Sequence, residues 1–174
     1  MRVAIFLTLL LSQIFAMDMQ LVDAQTGVIP KLAMLDRDID SKLVGEKLII
    51  TIACDGMDCE QAKEIASKII SKTNGTISGK TIKVVVSEIS NLSKMPMSFL
   101  YVISTNESNI KKAANIAKSK GVISFAYSKN AIEMGAILTM HIERNTIISL
   151  NRTAMKEANI RFVDSFYKIA RIVD

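Results

Sequence analysis

The chain has no tryptophan, one histidine, two cysteines, two prolines and seven glycines in 174 residues. Two cysteines exclude a multi-disulfide scaffold, and so little glycine and proline excludes a collagen-like or low-complexity chain. A single histidine leaves little material for acid–base catalysis. Charged residues make up 22% and hydrophobic residues 49%. That balance buries enough apolar surface to fold, which excludes a disordered chain. The length suits one domain, burying roughly two-thirds of its unfolded surface without a metal or disulfide.

The N-terminus reads as an export signal. Arg2 supplies a positive start, Val3–Phe15 is almost wholly apolar, and Ala16 closes the stretch before the first acid, Asp18. Charge, apolar run and small residue in that order mark a secretory signal. The run falls short of the ~20 apolar residues that span a bilayer. Residues 1–16 are therefore expected to be a signal peptide, with residues 17–174 a single exported, periplasmic domain that does not span the membrane. Cleavage removes Arg2 and lowers the formal charge from +5 to +4. The one lysine cluster, Lys111, Lys112, Lys118 and Lys120, has no interleaved aromatics for base stacking. It reads as a solvated helix face, and no nucleic-acid partner is expected.

Helical and strand patterns alternate along the rest. Val28, Leu32, Leu35 and Ile39 form a helical stripe, with Pro30 placed near its start. Leu48–Ala53 is a short β-branched run that reads as a buried strand. Asp58 then opens a helix, as its cap, and Asn74-Gly75 ends it. Ile82–Val86 and Ser98–Ser104 read as the second and third strands, Asn109–Lys120 as a helix stopped by Gly121, and Val122–Tyr127 as the fourth strand. Asn130–Met134 suits one helical turn. Ala136–Ile142 and Thr146–Leu150 flank Glu143-Arg144-Asn145 as a hairpin. Asn151 caps a short helix running to Ala158, and Asn159 suits a left-handed exit. Phe162, Phe166, Ile169 and Val173 give a closing helical stripe. Strands alternating with helices predict an α/β fold: one three-layer domain, with a mixed, mostly parallel sheet, helices on both faces and a C-terminal β-hairpin plus helices.

Candidate chemistry is sparse. Cys54 and Cys59, in CDGMDC, can close a small disulfide loop in an oxidising compartment; the alternative is two ordinary buried thiols. Asp55 and Asp58 in that loop lack the spacing of a calcium hand, and turn former plus helix cap explains both. His141 sits alone in an apolar strand with no nucleophile beside it, which favours a structural role. Gly75–Lys80 has too few residues between its glycines for a phosphate loop, and it follows a helix rather than a strand. No cofactor, metal or catalytic set is expected. Met95, Met97 and Phe99 around Pro96 are the candidate apolar contact surface for a partner.

From Gly135 to Val173 the pattern is more specific. A glycine opens a strand, and a turn leads to a second strand ending Leu150-Asn151. A helix follows with Ala154 and Ala158, then Ile160-Arg161-Phe162, and a closing helix ends Ile169-Ala170-Arg171-Ile172-Val173. This run, with Gly135, Asn151, Ala170 and Arg171 as its markers, resembles the C-terminal half of the YfiR/HmsC-like family, long labelled a domain of unknown function. The resemblance implies an exported α/β domain that binds the periplasmic sensor domain of an inner-membrane diguanylate cyclase and controls cyclic di-GMP synthesis, hence biofilm. It also implies disulfides tied to redox sensitivity. The chain departs from the family where Ser98 replaces a cysteine before the middle strand, and where Ala33–Asp38 replaces an aromatic-rich stretch. Cys54 and Cys59 therefore do not map onto the family's cysteines. The rival reading is a small-ligand-binding module feeding a membrane receptor, its site lined by the loops Asp55–Asp58 and Ser104–Ser108. A homodimer is open under either reading.

Overall fold

The computed structural model describes residues 18–56 and 58–174. The expected signal peptide lies outside those residues. The first helix, α1, spans Met19–Ala33 and is followed by strand β1, Lys47–Cys54. Helix α2 covers Asp58–Thr73, and the short strand β2, Thr76–Ile77, folds back on β3, Lys80–Glu88. Then come β4, Phe99–Val102, helix α3, Glu107–Ser119, and β5, Ile123–Ala126. The chain ends with β6, Leu138–Ile142, β7, Thr146–Asn151, helix α4, Arg152–Glu157, and β8, Ala170–Val173.

All eight strands join one sheet in the order β2-β3-β1-β4-β5-β6-β7-β8. The strands β3, β1, β4, β5 and β6 run parallel; β2 and β7 are antiparallel to their neighbours β3 and β6. β8 lies parallel to β7 and closes one end. β4 and β5 are buried along their whole length and β1 from Leu48 onward, as strands covered on both faces must be. One face carries α1, α2 and α4 over a core that includes Ile29, Leu48, Ile50, Ile65, Phe125 and Phe162. The other carries α3 and the connections around Leu92 and Ala131, over Leu100, Val102 and Ala126. The expected three-layer α/β fold with a mixed, mostly parallel sheet is what the chain forms. The hairpin β6–β7, the cap at Asn151 and the left-handed Asn159 lie where the sequence put them.

Two expectations fail for identifiable reasons. The first helix begins at Met19, capped by Asp18, and Pro30 sits in its last turn rather than near its start. Its buried stripe, Val22, Gln25, Thr26, Ile29 and Ala33, includes two polar residues, which hid it from a hydrophobic count. Packing of that stripe outweighs the proline penalty, since tertiary contacts routinely override propensity. The expected closing helix is instead a single 3₁₀ turn, Phe166–Lys168, followed by β8, so Ala170 and Arg171 are strand residues. The spacing of four between Phe162 and Phe166 reflects two rings packed at 4.6 Å, both buried. Ile172 and Val173 then pair with Leu150 and Asn151.

Gln25 fastens the first helix to the sheet. Its amide donates to the backbone oxygen of Met140 at 3.1 Å and accepts from the Tyr101 hydroxyl at 2.5 Å, with every partner inside the core. Burial pushes the Tyr101 hydroxyl far above its ordinary range, so it stays protonated and donates. Tyr101→Phe leaves the Gln25 oxygen without a donor. It is expected to lower stability by about 1–3 kcal/mol in urea unfolding.

Candidate functional site

In an open α/β sheet the binding crevice forms outside the carboxyl ends of the strands, where the strand order reverses. Here the reversal is at β1 and β4. From β1 the chain crosses one face through α2 to β3. From β3 it crosses the other face to β4, and α3 continues on that side. The ends of β1 and β4 are tied by the Ile103 amide, which donates to Ala53 O at 3.1 Å. Beyond them the two helices depart in opposite directions.

At these carboxyl ends Cys54–Gly56 and Asp58 lie on one side and Ser104–Asn109 on the other, the place where such a fold would hold a ligand. Gly56 turns the first loop with φ +53°, a conformation that side chains disfavour. Cys54 and Cys59 are joined in a disulfide, which fixes the start of α2 to the end of β1. Asn106 caps α3 by accepting from the Asn109 amide at 3.2 Å, and the Ser104 hydroxyl accepts from the Asn106 amide at 3.2 Å. Asn109 Nδ2 then donates across the crevice to Asp55 Oδ2 at 2.7 Å. Partial burial, and next the charge of Asp55, raise the Asp58 carboxyl above its ordinary value. Asp55, Asp58 and Glu107 make this rim acidic, so it suits a ligand that brings donors or positive charge. The described residues hold no cluster of histidine, cysteine and acids fit for a metal.

The disulfide closes a six-residue loop. Its reduction is expected to lower stability by about 2 kcal/mol on the chain-entropy account. Urea midpoints with and without reductant check this. An unchanged midpoint would mean that the unfolded chain gains no freedom when the link is cut.

The other marked residues scatter. Met97 and Phe99 are buried, at 5% and 0% exposure, and only Met95 is half-buried. This corrects the expectation of a free apolar surface there. Pro96 O accepts from the Thr51 hydroxyl at 3.0 Å, which turns the segment inward. Gly135 adopts φ +94°, with its missing Cβ facing Ala114. Asn151 accepts from the Ala154 amide at 2.8 Å and donates to Ile132 O at 2.8 Å. Ala170 is half-buried against the core, and Arg171 is exposed. His141 is buried on β6, with Nε2 at 3.2 Å from Glu143 Oε1. Sequence reasoning missed Asn109, because only the fold brings it to Asp55, more than fifty positions away.

No family model and no curated protein matches the chain. Solved structures do match in fold. A conserved domain protein from Vibrio cholerae O1 biovar El Tor is 12% identical with a TM-score of 0.57, over 79% of this chain and 58% of that one. The ABC domain from Streptococcus pneumoniae, solved in complex with L-Trp, is 11% identical with a TM-score of 0.52, over 81% and 62%. The chain thus spans about three-fifths of each neighbour's length. At such identity the likeness is one of fold alone.

Proposed function

We propose that the protein is an exported, non-enzymatic regulator that binds the periplasmic sensor domain of an inner-membrane signalling protein, a diguanylate cyclase, and controls its output. The resemblance of residues 135–173 to the YfiR/HmsC-like family supports the reading. The observation that carries it is the open edge at β8. This strand has β7 as its sole neighbour among the described residues. On and beside it Ile169 is 68% exposed and Ile172 38%. An exposed edge with large apolar side chains is a template for another chain. Gly135, Asn151 and Ala170 each serve the fold, whereas exposed Arg171 has no ion-pair partner among the described residues. None of the described helices is long and apolar enough to cross a membrane.

The test is capture in the native host. The tagged protein is exported, crosslinked and recovered from solubilised membranes, beside an Ile169→Asp/Ile172→Asp variant. Circular dichroism of the variant checks that it keeps the wild-type fold. The reading requires a membrane protein with a cyclase domain that the wild type captures and the variant does not. Equal capture by both would remove the edge from the account.

The crevice favours a second reading, a small-ligand-binding module. It sits at the strand-order reversal, and one fold neighbour was solved with L-Trp. Thermal stabilisation by amino acids and other metabolites, lost in Asp55→Ala, would favour it.

A further inference from the structure

The sheet edge opposite β8 is open along most of its length. Strand β3 runs from Lys80 to Glu88, yet β2 pairs only with Lys80 and Thr81. The Ile82 amide donates outward to Gly75 O at 2.8 Å, and the Ile89 amide donates inward to Cys54 O at 3.0 Å. Successive residues of a strand turn their backbone groups to alternate edges. Val84 and Val86 therefore present N–H and C=O outward, with no partner for them among the described residues. Such an edge is a template for a further strand.

A groove lies beside this edge. Helix α2 packs over β3 and β1. Where it meets the edge, Ala66, Ser67, Ile70, Ser71 and Val84 line an opening of about 390 Å³. Ile70 is 37% exposed there. The lining carries no charge, so the opening suits an apolar element rather than an ion. Apart from Ile70 the helix residues on this side are small, so a second helix can approach closely and seat one large side chain.

We propose that β3 pairs antiparallel with β3 of a second copy of this chain, giving a two-fold symmetric dimer whose sheet runs through both copies. The free backbone groups, on Val84 and Val86, are symmetric about Val85. Pairing centred on Val85 sets each Val84 opposite the partner's Val86, and both hydrogen bonds of each such pair form. Charge matches as well. Exposed Lys83 and Glu88 lie at opposite ends of the free segment. Antiparallel pairing brings the positive end of each strand beside the negative end of the other, whereas parallel pairing sets like beside like. The helices complete the seam. Each α2 sits over β3 and β1, and strands lie ~4.8 Å apart, so the two α2 axes come to about 10 Å, the spacing of packed helices. Ile70 of each copy then falls against the partner's Ala66. The dimer leaves β8 free in both copies, and it does not rest on the cyclase reading.

Analytical ultracentrifugation of the exported protein at about 100 μM should give twice the chain mass. Ile70→Asp, at an exposed position, should weaken the dimer about tenfold or more. Val86→Pro removes an outward N–H, a place where an edge strand tolerates proline, and should leave only monomer. Circular dichroism checks that both variants remain folded. Val85→Cys reports the register. The chain's two cysteines are joined to each other, so the new thiol is the one free thiol, and centred pairing holds the thiols of the two copies within disulfide reach. Mild oxidation should yield a covalent dimer from Val85→Cys and none from Ile169→Cys. A monomeric wild type, an unchanged dimer in either folded variant, or no covalent dimer from Val85→Cys would overturn the proposal. So would a dimer lost in Ile169→Asp/Ile172→Asp, which puts the contact at β8, or a mass that climbs past two chains, which marks head-to-tail pairing of β3 with β8.

Discussion

Phe162→Ala is expected to lower stability by about 3–5 kcal/mol, the usual range for deleting a buried ring. Phe162 is 1% exposed, and its ring packs on Phe166 at 4.6 Å and reaches the edge of Tyr167 at 6.5 Å. Its backbone bridges Asp36, and the Arg37 guanidinium donates to its carbonyl at 3.0 Å. The residue thus joins the segment after α1, through its backbone, to the aromatic cluster before β8, through its ring. Its loss opens a cavity where two distant parts of the chain meet. With roughly 2–4 °C of melting temperature per kcal/mol in a chain of this size, the midpoint should fall by about 10 °C. Circular dichroism melts check it. A shift of one or two degrees would mean that the neighbours collapse into the space.

Lys42→Met is expected to be as costly, for a different reason. Lys42 pairs with Asp36, whose side chain is 1% exposed, while the Asp38 amide donates to the other carboxylate oxygen at 3.0 Å. Methionine keeps the apolar stem of the lysine and removes its charge. The Asp36 carboxylate is then buried without a counterion, a loss of about 3–5 kcal/mol. The double variant Asp36→Asn/Lys42→Met should recover most of this, because removing both charges also removes the burden of burying them. Urea unfolding of the two variants separates the outcomes. Additive losses would show that the pair is solvated and worth little. Surface pairs of this protein, such as Lys63 with Glu60, belong to that weak class.

The sheet was largely legible because its parallel strands are buried on both faces and announce themselves as apolar runs, Leu48–Ala53 above all. Turns were legible where conformation demands a residue type: Asn74-Gly75, Gly121 and Asn159 all take positive φ. The edges were not. β2 is two residues long, turned by Ser78 and Gly79 at positive φ, and no hydrophobic pattern marks so short a strand. β8 carried the four-residue apolar spacing of a helix and became a strand because β7 offered a pairing partner. The crevice was half-legible. Its loops were identified from the order of strand and helix, but the Asn109–Asp55 bond depends on tertiary placement. The contact surface at Met95–Phe99 was misplaced, because methionines and phenylalanines around a turn look alike whether they cap a core or face a partner. Burial of Met97 and Phe99 decides the matter, and the most exposed large apolar residue, Ile169, lies beside β8 at the far edge of the sheet.

The proposed regulation of a cyclase requires unequal affinity for the partner's active and inactive states. The most direct measurement is therefore the cyclic di-GMP synthesis rate of the captured membrane protein in vesicles, with and without this protein on the periplasmic side. The account predicts a saturable change in rate with the wild type and none with Ile169→Asp/Ile172→Asp. An unchanged rate under saturating wild-type protein, or an equal response to the edge variant, would contradict it.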